Sequence, residues 1–174
     1  MRYWLGLGAN LGDRRAGLEA ALAWLARDGA RVEAVSPAYE TAPRDLEDQP
    51  SFLNAAARVA TDLPPPDLLC AIKQMETELG RDPGGVRFGP RPIDCDILLW
   101  DGGTWRDATL EVPHPRLPER RFALLPLLDL DPDLSLPDGR RLAGLAAAID
   151  PSDQPVERLP EPLAAPRVGE GGEL

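Results

Sequence analysis

Residues 88–100 read FGPRPIDCDILLW. From Ile93 onward the run is short, largely apolar and bounded on its left by Gly and Pro, the marks of a buried strand. Taking 93–100 as a strand sorts the chain that precedes it. "RYWLGLG" (2–8) is a first strand that ends in glycine. From Arg14 to Arg27, Leu18, Ala21, Leu22 and Leu25 recur at helical spacing, with Asp13 as N-cap and Gly29 as terminator. "RVEAVSPAYET" (31–41) alternates, with a break at Pro37, and a polar loop (42–51) follows it. "FLNAAARVAT" (52–61) suits a strand or a helix. The punctuation "DLPPPD" and the clear helix that follows over 65–79, with Leu68, Leu69, Ile72, Met75 and Leu79 on one face, favour the strand. The order becomes strand, helix, strand, strand, helix, strand. It predicts an α+β, ferredoxin-like βαββαβ core: an antiparallel sheet with helices packed on one face.

Beyond that core, residues 101–140 read as loop-rich, with short helical pieces in 112–130, and 140–149 as a C-terminal helix. A single domain is expected over 1–150. The remainder, 151–174, is rich in Pro, Gly and Glu and is expected to be loose or laid along the surface.

Within the decisive strand sit two carboxylates, Asp94 and Asp96. Side chains at i and i+2 of a strand share a face, so the pair converges. Two close carboxylates stay ionised only where a cation offsets them. Paired hard oxygens with phosphate are a usual way to hold Mg²⁺. A solvated polar face is the plain alternative for the bare pair. Arg81, Arg87 and Arg91 precede it on a segment containing Gly84, Gly85 and Gly89, which fits a polyphosphate. His114, the single histidine, lies between prolines and ahead of Arg116, Arg120 and Arg121. Its imidazole suits a phosphate oxygen. Phe52 and Asn54 share a strand face, an arrangement that can stack a heterocycle and hydrogen-bond its edge; Phe122 offers a second ring.

The totals narrow the function class. Hydrophobic residues make up 43% and charged residues 28% of the 174, an ordinary globular balance. A formal charge of −10 argues against a general nucleic-acid binder. Cys70 and Cys95 form no metal or redox motif, so a reducing compartment is expected. With no signal-like or membrane-length apolar run, the expected location is the cytoplasm.

The ordered segments "LGLGANLGDR", "YETAP" with "QPSFLNAA", "ELGR", "RFGPRPIDCDILL" and "VPHPRLPERRFALLPL" resemble the 6-hydroxymethyl-7,8-dihydropterin pyrophosphokinase family of folate biosynthesis. The likeness spans roughly residues 3 to 140, and its most specific string is R-x-x-D-x-D after Gly-Pro. The resemblance implies a ferredoxin-like catalytic domain that moves a pyrophosphoryl group from ATP to the pterin hydroxymethyl oxygen. It implies that Asp94 and Asp96 ligate two Mg²⁺ ions, with ATP as co-substrate. Thr41, Pro43, Arg44, Phe52, Asn54 and Phe122 match the pterin-binding positions. Lys73, Glu76, Arg81, Arg87, Arg91, Ile97, His114 and Arg120 match the ATP-binding positions, Arg81 and Arg91 also counting as catalytic. ATP and the pterin are then the partners, without nucleic acid or membrane, and a monomer is expected. Three positions depart from the family pattern: Cys95 stands where Leu or Ile is usual, Phe88 where Trp is frequent, and Pro83 where an arginine is often found.

Two rival readings use part of the same residues. Another metal-dependent nucleotidyl- or glycosyl-transferase would need the acidic pair but not the Phe–Asn–Phe set. A non-catalytic ferredoxin-like ligand-binding module would need no convergent aspartates.

Overall fold

A computed structural model describes residues 1–43, 48–85 and 89–166. In chain order the core elements are β1 (Arg2–Ala9), α1 (Arg14–Arg27), β2 (Arg31–Val35), β3 (Tyr39–Thr41), β4 (Phe52–Ala60), α2 (Pro65–Glu78) and β5 (Asp94–Trp100). Then come β6 (Trp105–Arg106), β7 (Glu111–Val112), a 3₁₀ turn (Leu117–Glu119), α3 (Arg121–Leu130), α4 (Leu142–Ala148) and β8 (Val156–Arg158). The sheet runs β5-β1-β4-β3-β8, with β2 also on β4. Each of its described pairings is antiparallel. This is the α+β ferredoxin-like arrangement. The break at Pro37 divides the second strand of the pattern into β2 and β3, and both pair with β4.

Alternation along the strands builds two cores, one on each face of the sheet. Tyr3, Leu5 and Leu7 of β1, with Ala55, Ala57 and Val59 of β4, pack under α1 and α2. Asp13 caps α1 by accepting the Ala16 N–H. Pro65 opens α2 at a position that needs no N–H donor. The opposite face carries Ala56, Leu98 and Leu99 against Leu124 and Leu127 of α3 and Leu142 and Ala146 of α4. The helices of the βαββαβ unit, α1 and α2, share one face as expected, and α3 and α4 cover the other. α3 and α4 lie outside the βαββαβ unit from which that expectation came, and their apolar residues need a second burial surface.

The β1–β5 register slips by one residue: Trp4 pairs with Leu99, yet Leu5 pairs with Ile97. Leu98 is the extra residue of a bulge. Leu98 and Leu99 consequently face the second core together, while Trp100 stacks on Tyr3 of the first, with centroids 5.8 Å apart. Past Asp150 the chain continues as β8 along β3, and Leu163 is buried in the first core. Among the described residues, no helix is long and apolar enough to cross a membrane.

Candidate active site

The sheet face under α3 is left partly uncovered at the end where β1, β4 and β5 meet. Gly8 of β1 stands between Asn54 and Asp94 in the pairing register, and Gly6 between Ala56 and Asp96. Side chains at these two positions would fill the space above the sheet. A β-carbon on Gly8 would lie 2.9 Å from Asn54 Oδ1, and one on Gly6 would lie 3.0 Å from Leu98 Cδ1. Over this glycine floor is a cavity of about 270 Å³. Thr41, Phe52, Asn54, Lys73, Arg81, Arg91, Asp94, Asp96, His114, Arg120 and Phe122 line it, together with Gln49 and Ala123.

On one side of the cavity are groups suited to a flat polar heterocycle. Asn54 is buried, and its Nδ2 donates to Thr41 Oγ1 at 2.7 Å. That bond fixes which way the amide points and turns Oδ1 to the floor. Phe52 comes from β4 and Phe122 from the first turn of α3. Each carries a guanidinium over its ring: Arg91 at 5.4 Å over Phe52, and Arg120 at 5.6 Å over Phe122.

Charge is concentrated on the other side. Cys95 and Ile97 point into the first core, so Asp94 and Asp96 share the cavity face. Arg81 Nη1 lies 2.5 Å from Asp94 Oδ1 and 2.8 Å from Glu76 Oε1, and Arg91 Nε lies 3.4 Å from Asp94 Oδ2. No described donor hydrogen-bonds Asp96. Burial, with Asp94 beside it, pushes its carboxyl up to about 6. A desolvated carboxylate facing a second one is a donor set that a divalent cation would satisfy. Burial likewise drives the Cys95 thiol well up, consistent with a small hydrophobe rather than a ligand.

Glu76 is 2% exposed and does not line the cavity. It accepts the Cys95 N–H at 2.8 Å and holds both Lys73 and Arg81. It thereby connects α2 to the strand of the acidic pair. Ile97 is buried in the first core and leaves only its backbone to the site, and Pro43 is not among the lining residues. Arg44, Arg87 and Phe88 lie outside the described residues. His114 lines the cavity, and burial followed by Arg120 and Arg116 lowers its pKa to about 4. Its Nδ1 accepts the Arg116 N–H at 3.1 Å, so the ring proton of the neutral tautomer sits on Nε2.

Asn10 escaped the sequence reading. It is 2% exposed, donates from Nδ2 to Gln49 Oε1 and the Pro50 carbonyl, and accepts the Arg91 N–H at 2.9 Å. It ties both loops at the cavity rim to the end of β1. Gly6 and Gly8 were missed as floor residues. The available signal was their i, i+2 spacing in a strand, which marks a close approach on one face.

The profile of the 7,8-dihydro-6-hydroxymethylpterin-pyrophosphokinase (HPPK) family matches residues 4–132. The chain is 44% identical over 160 residues to the 2-amino-4-hydroxy-6-hydroxymethyldihydropteridine pyrophosphokinase of Pseudomonas aeruginosa, covering 91% of this chain and 97% of that one. It is 45% identical over 128 residues to the Bacillus subtilis protein of the same name, covering 73% and 76%. The mitochondrial folate synthesis bifunctional protein of pea is 44% identical over 72% of this chain, which spans 24% of that longer protein. Among solved structures, a Plasmodium falciparum HPPK-DHPS superposes with a TM-score of 0.70 at 16% identity over 84% of this chain and 45% of that one, a likeness of fold. A profile match across most of the chain, and relatives of the same name at this identity and coverage, make it a member of the 7,8-dihydro-6-hydroxymethylpterin-pyrophosphokinase family.

Proposed function

We propose that the chain transfers the pyrophosphoryl group of ATP to the hydroxymethyl oxygen of 6-hydroxymethyl-7,8-dihydropterin, releasing AMP, and that the reaction requires Mg²⁺ at Asp94 and Asp96. The observation that carries this reading is the junction of two chemistries in one cavity. An amide and two aromatic rings, for the pterin, border an acidic pair ringed by arginines, for a metal polyphosphate.

Thr41 and Asn54 orient the pterin edge while Phe52 and Phe122 stack its faces. Arg81, Arg91 and Arg120 contact phosphate oxygens, and His114 donates from Nε2. Lys73 and the backbone of Ile97 face the nucleotide, and Glu76 holds Lys73 and Arg81 in place. Pro43, Arg44 and Arg87 are proposed on the resemblance alone. When bound, two Mg²⁺ ions supply charge neutralisation across the phosphates and acidify the pterin hydroxyl. That hydroxyl oxygen bonds to the β-phosphorus, the bond from the β-phosphorus to the α-phosphate oxygen breaks, and AMP leaves. The hydroxyl proton is assigned to an Asp96 oxygen, which faces the cavity beside Asp94. Holding both substrates in one cavity supplies the proximity term. Every residue invoked belongs to one chain, so a monomer suffices.

The test is AMP release from ATP with and without the pterin, in Mg²⁺ and in chelator. AMP is expected only with both substrates and metal, and Asp94→Ala should abolish it. Pterin-independent AMP release would overturn the reading. If Asp96→Asn kept ATP affinity and near-normal turnover, the proton assignment would fail.

A further inference from the structure

The turn that brings Arg120 and Phe122 to the cavity is only partly secured by its own sequence: the Arg120 N–H donates to the Leu117 carbonyl and the Arg120 carbonyl accepts from Ala123 and Leu124, but no local side chain caps it. α3 begins at Arg121, and Arg120 before it makes no side-chain cap. The first N–H groups of a helix need acceptors from elsewhere. Here the acceptor comes from thirty-three residues downstream: the Arg121 N–H donates to Gln154 Oε1 at 2.9 Å. The same amide reaches back, Gln154 Nε2 donating to the Glu119 carbonyl at 2.9 Å. Arg121 Nη1 donates in turn to the Gln154 carbonyl at 3.2 Å. One side chain therefore holds the backbone on both sides of Arg120.

Gln154 lies beyond residue 132, where the family profile ends. It is fixed at both ends of its own segment. Upstream, Asp150 closes a turn by accepting the Ser152 N–H at 2.8 Å. Downstream, β8 pairs with β3, the strand that supplies Thr41. The Leu159 N–H donates to the Ala38 carbonyl at 2.9 Å, and Arg15 of α1 donates to the carbonyls of Glu161 and Pro162. Leu163 is then buried beneath. Residues 150–164 thus run as a strap from the start of α3, along β3, to α1.

We infer that Gln154 is a positioning residue for the pyrophosphoryl transfer: it caps α3 from the tail and fixes the turn that presents Arg120 to the phosphates and Phe122 to the pterin. The inference rests on the reading of the cavity as a joint pterin and ATP site. Loosening the turn leaves both side chains present but misaimed, and catalysis is sensitive to small errors of aim.

The test compares Gln154→Met, which keeps the length but neither polar atom, with Gln154→Glu, which keeps an oxygen for the Arg121 amide. Kinetics at 25 °C are read with hydrogen exchange at that amide. Gln154→Met should raise the pterin KM roughly fivefold, lower kcat/KM about tenfold and speed exchange at Arg121. Gln154→Glu restores the acceptor for Arg121 but turns an oxygen to the Glu119 carbonyl, and should fall between Gln154→Met and wild type on both counts. Gln154→Met constants within about twofold of wild type, or exchange at Arg121 no faster in Gln154→Met than in wild type, would overturn the inference. Wild type in the same assay tests the joint-site reading separately. If it released no AMP that reading would fail, and exchange at Arg121 alone would decide whether Gln154 holds the turn.

Discussion

Replacing glycine by alanine inside a helix ordinarily stabilises by about 0.5–1 kcal/mol. Gly17 of α1 should behave the opposite way. A β-carbon there would lie 2.6 Å from the Pro92 carbonyl oxygen, a backbone atom in the turn between Arg91 and Asp94. Real contacts of this kind do not approach so closely, so helix and turn must separate by roughly 0.5 Å. Inserting a methyl into a packed contact costs about 1–3 kcal/mol. Set against the propensity gain, Gly17→Ala should lose about 1 kcal/mol, a fall of roughly 2–4 °C in Tm for a chain of this size. Gly144 of α4 is the control, because a β-carbon there meets nothing within 4 Å. Gly144→Ala should gain about 0.5–1 kcal/mol. Thermal unfolding of both variants beside wild type measures the sign. Turnover adds a second reading, since displacing Pro92 moves Arg91 and Asp94 while a methyl on Gly144 displaces nothing. A Tm that rises in both variants would show that α1 does not press on the turn, and would refute the reasoning.

Glu76→Ala strands the Cys95 N–H and removes one of the two carboxylates on Arg81, and should cost about 2–3 kcal/mol in urea unfolding, with Glu76→Gln milder. A midpoint unchanged in Glu76→Ala would refute the buried-tie role. For His114 the folded pKa of about 4 lies below the ordinary histidine value of about 6.5, so in that window the unfolded chain holds a proton that the folded chain lacks. Stability from this group is complete above about 6.5 and is lost as pH falls through about 4. His114→Gln should flatten the stability profile between pH 7 and 5 by on the order of 1–2 kcal/mol, and denaturant melts at the two pH values with equal losses in variant and wild type would refute it.

The legible parts of the fold were those with strong local periods. β1 and β5 read as strands and α1 and α2 carry apolar stripes, while β4, which suits strand or helix, is settled by the punctuation after it; together these suffice for βαββαβ. α3 was legible only as short helical pieces within 112–130, because Pro126 reads as a breaker inside a helix that nonetheless continues past it. β8 is three residues long, and its exposed Glu157 and Arg158 give no pattern; its conformation comes from the open edge of β3. Within the site, charged and aromatic residues announced themselves by type, and Asp94 and Asp96 by spacing. Asn10 and Gln154 did not, because a polar residue holding two distant turns together has no signature in its neighbours.

The two floor glycines differ in what they keep clear. A methyl at position 6 would press on Leu98, an aliphatic side chain that can rotate aside, whereas one at position 8 would press on the oxygen of Asn54. The first glycine guards room and the second guards recognition. On the proposed assignment, selectivity for the heterocycle depends at Gly8 on a side chain that is missing, and the smallest possible enlargement there disturbs the Asn54 amide before it disturbs the acidic pair.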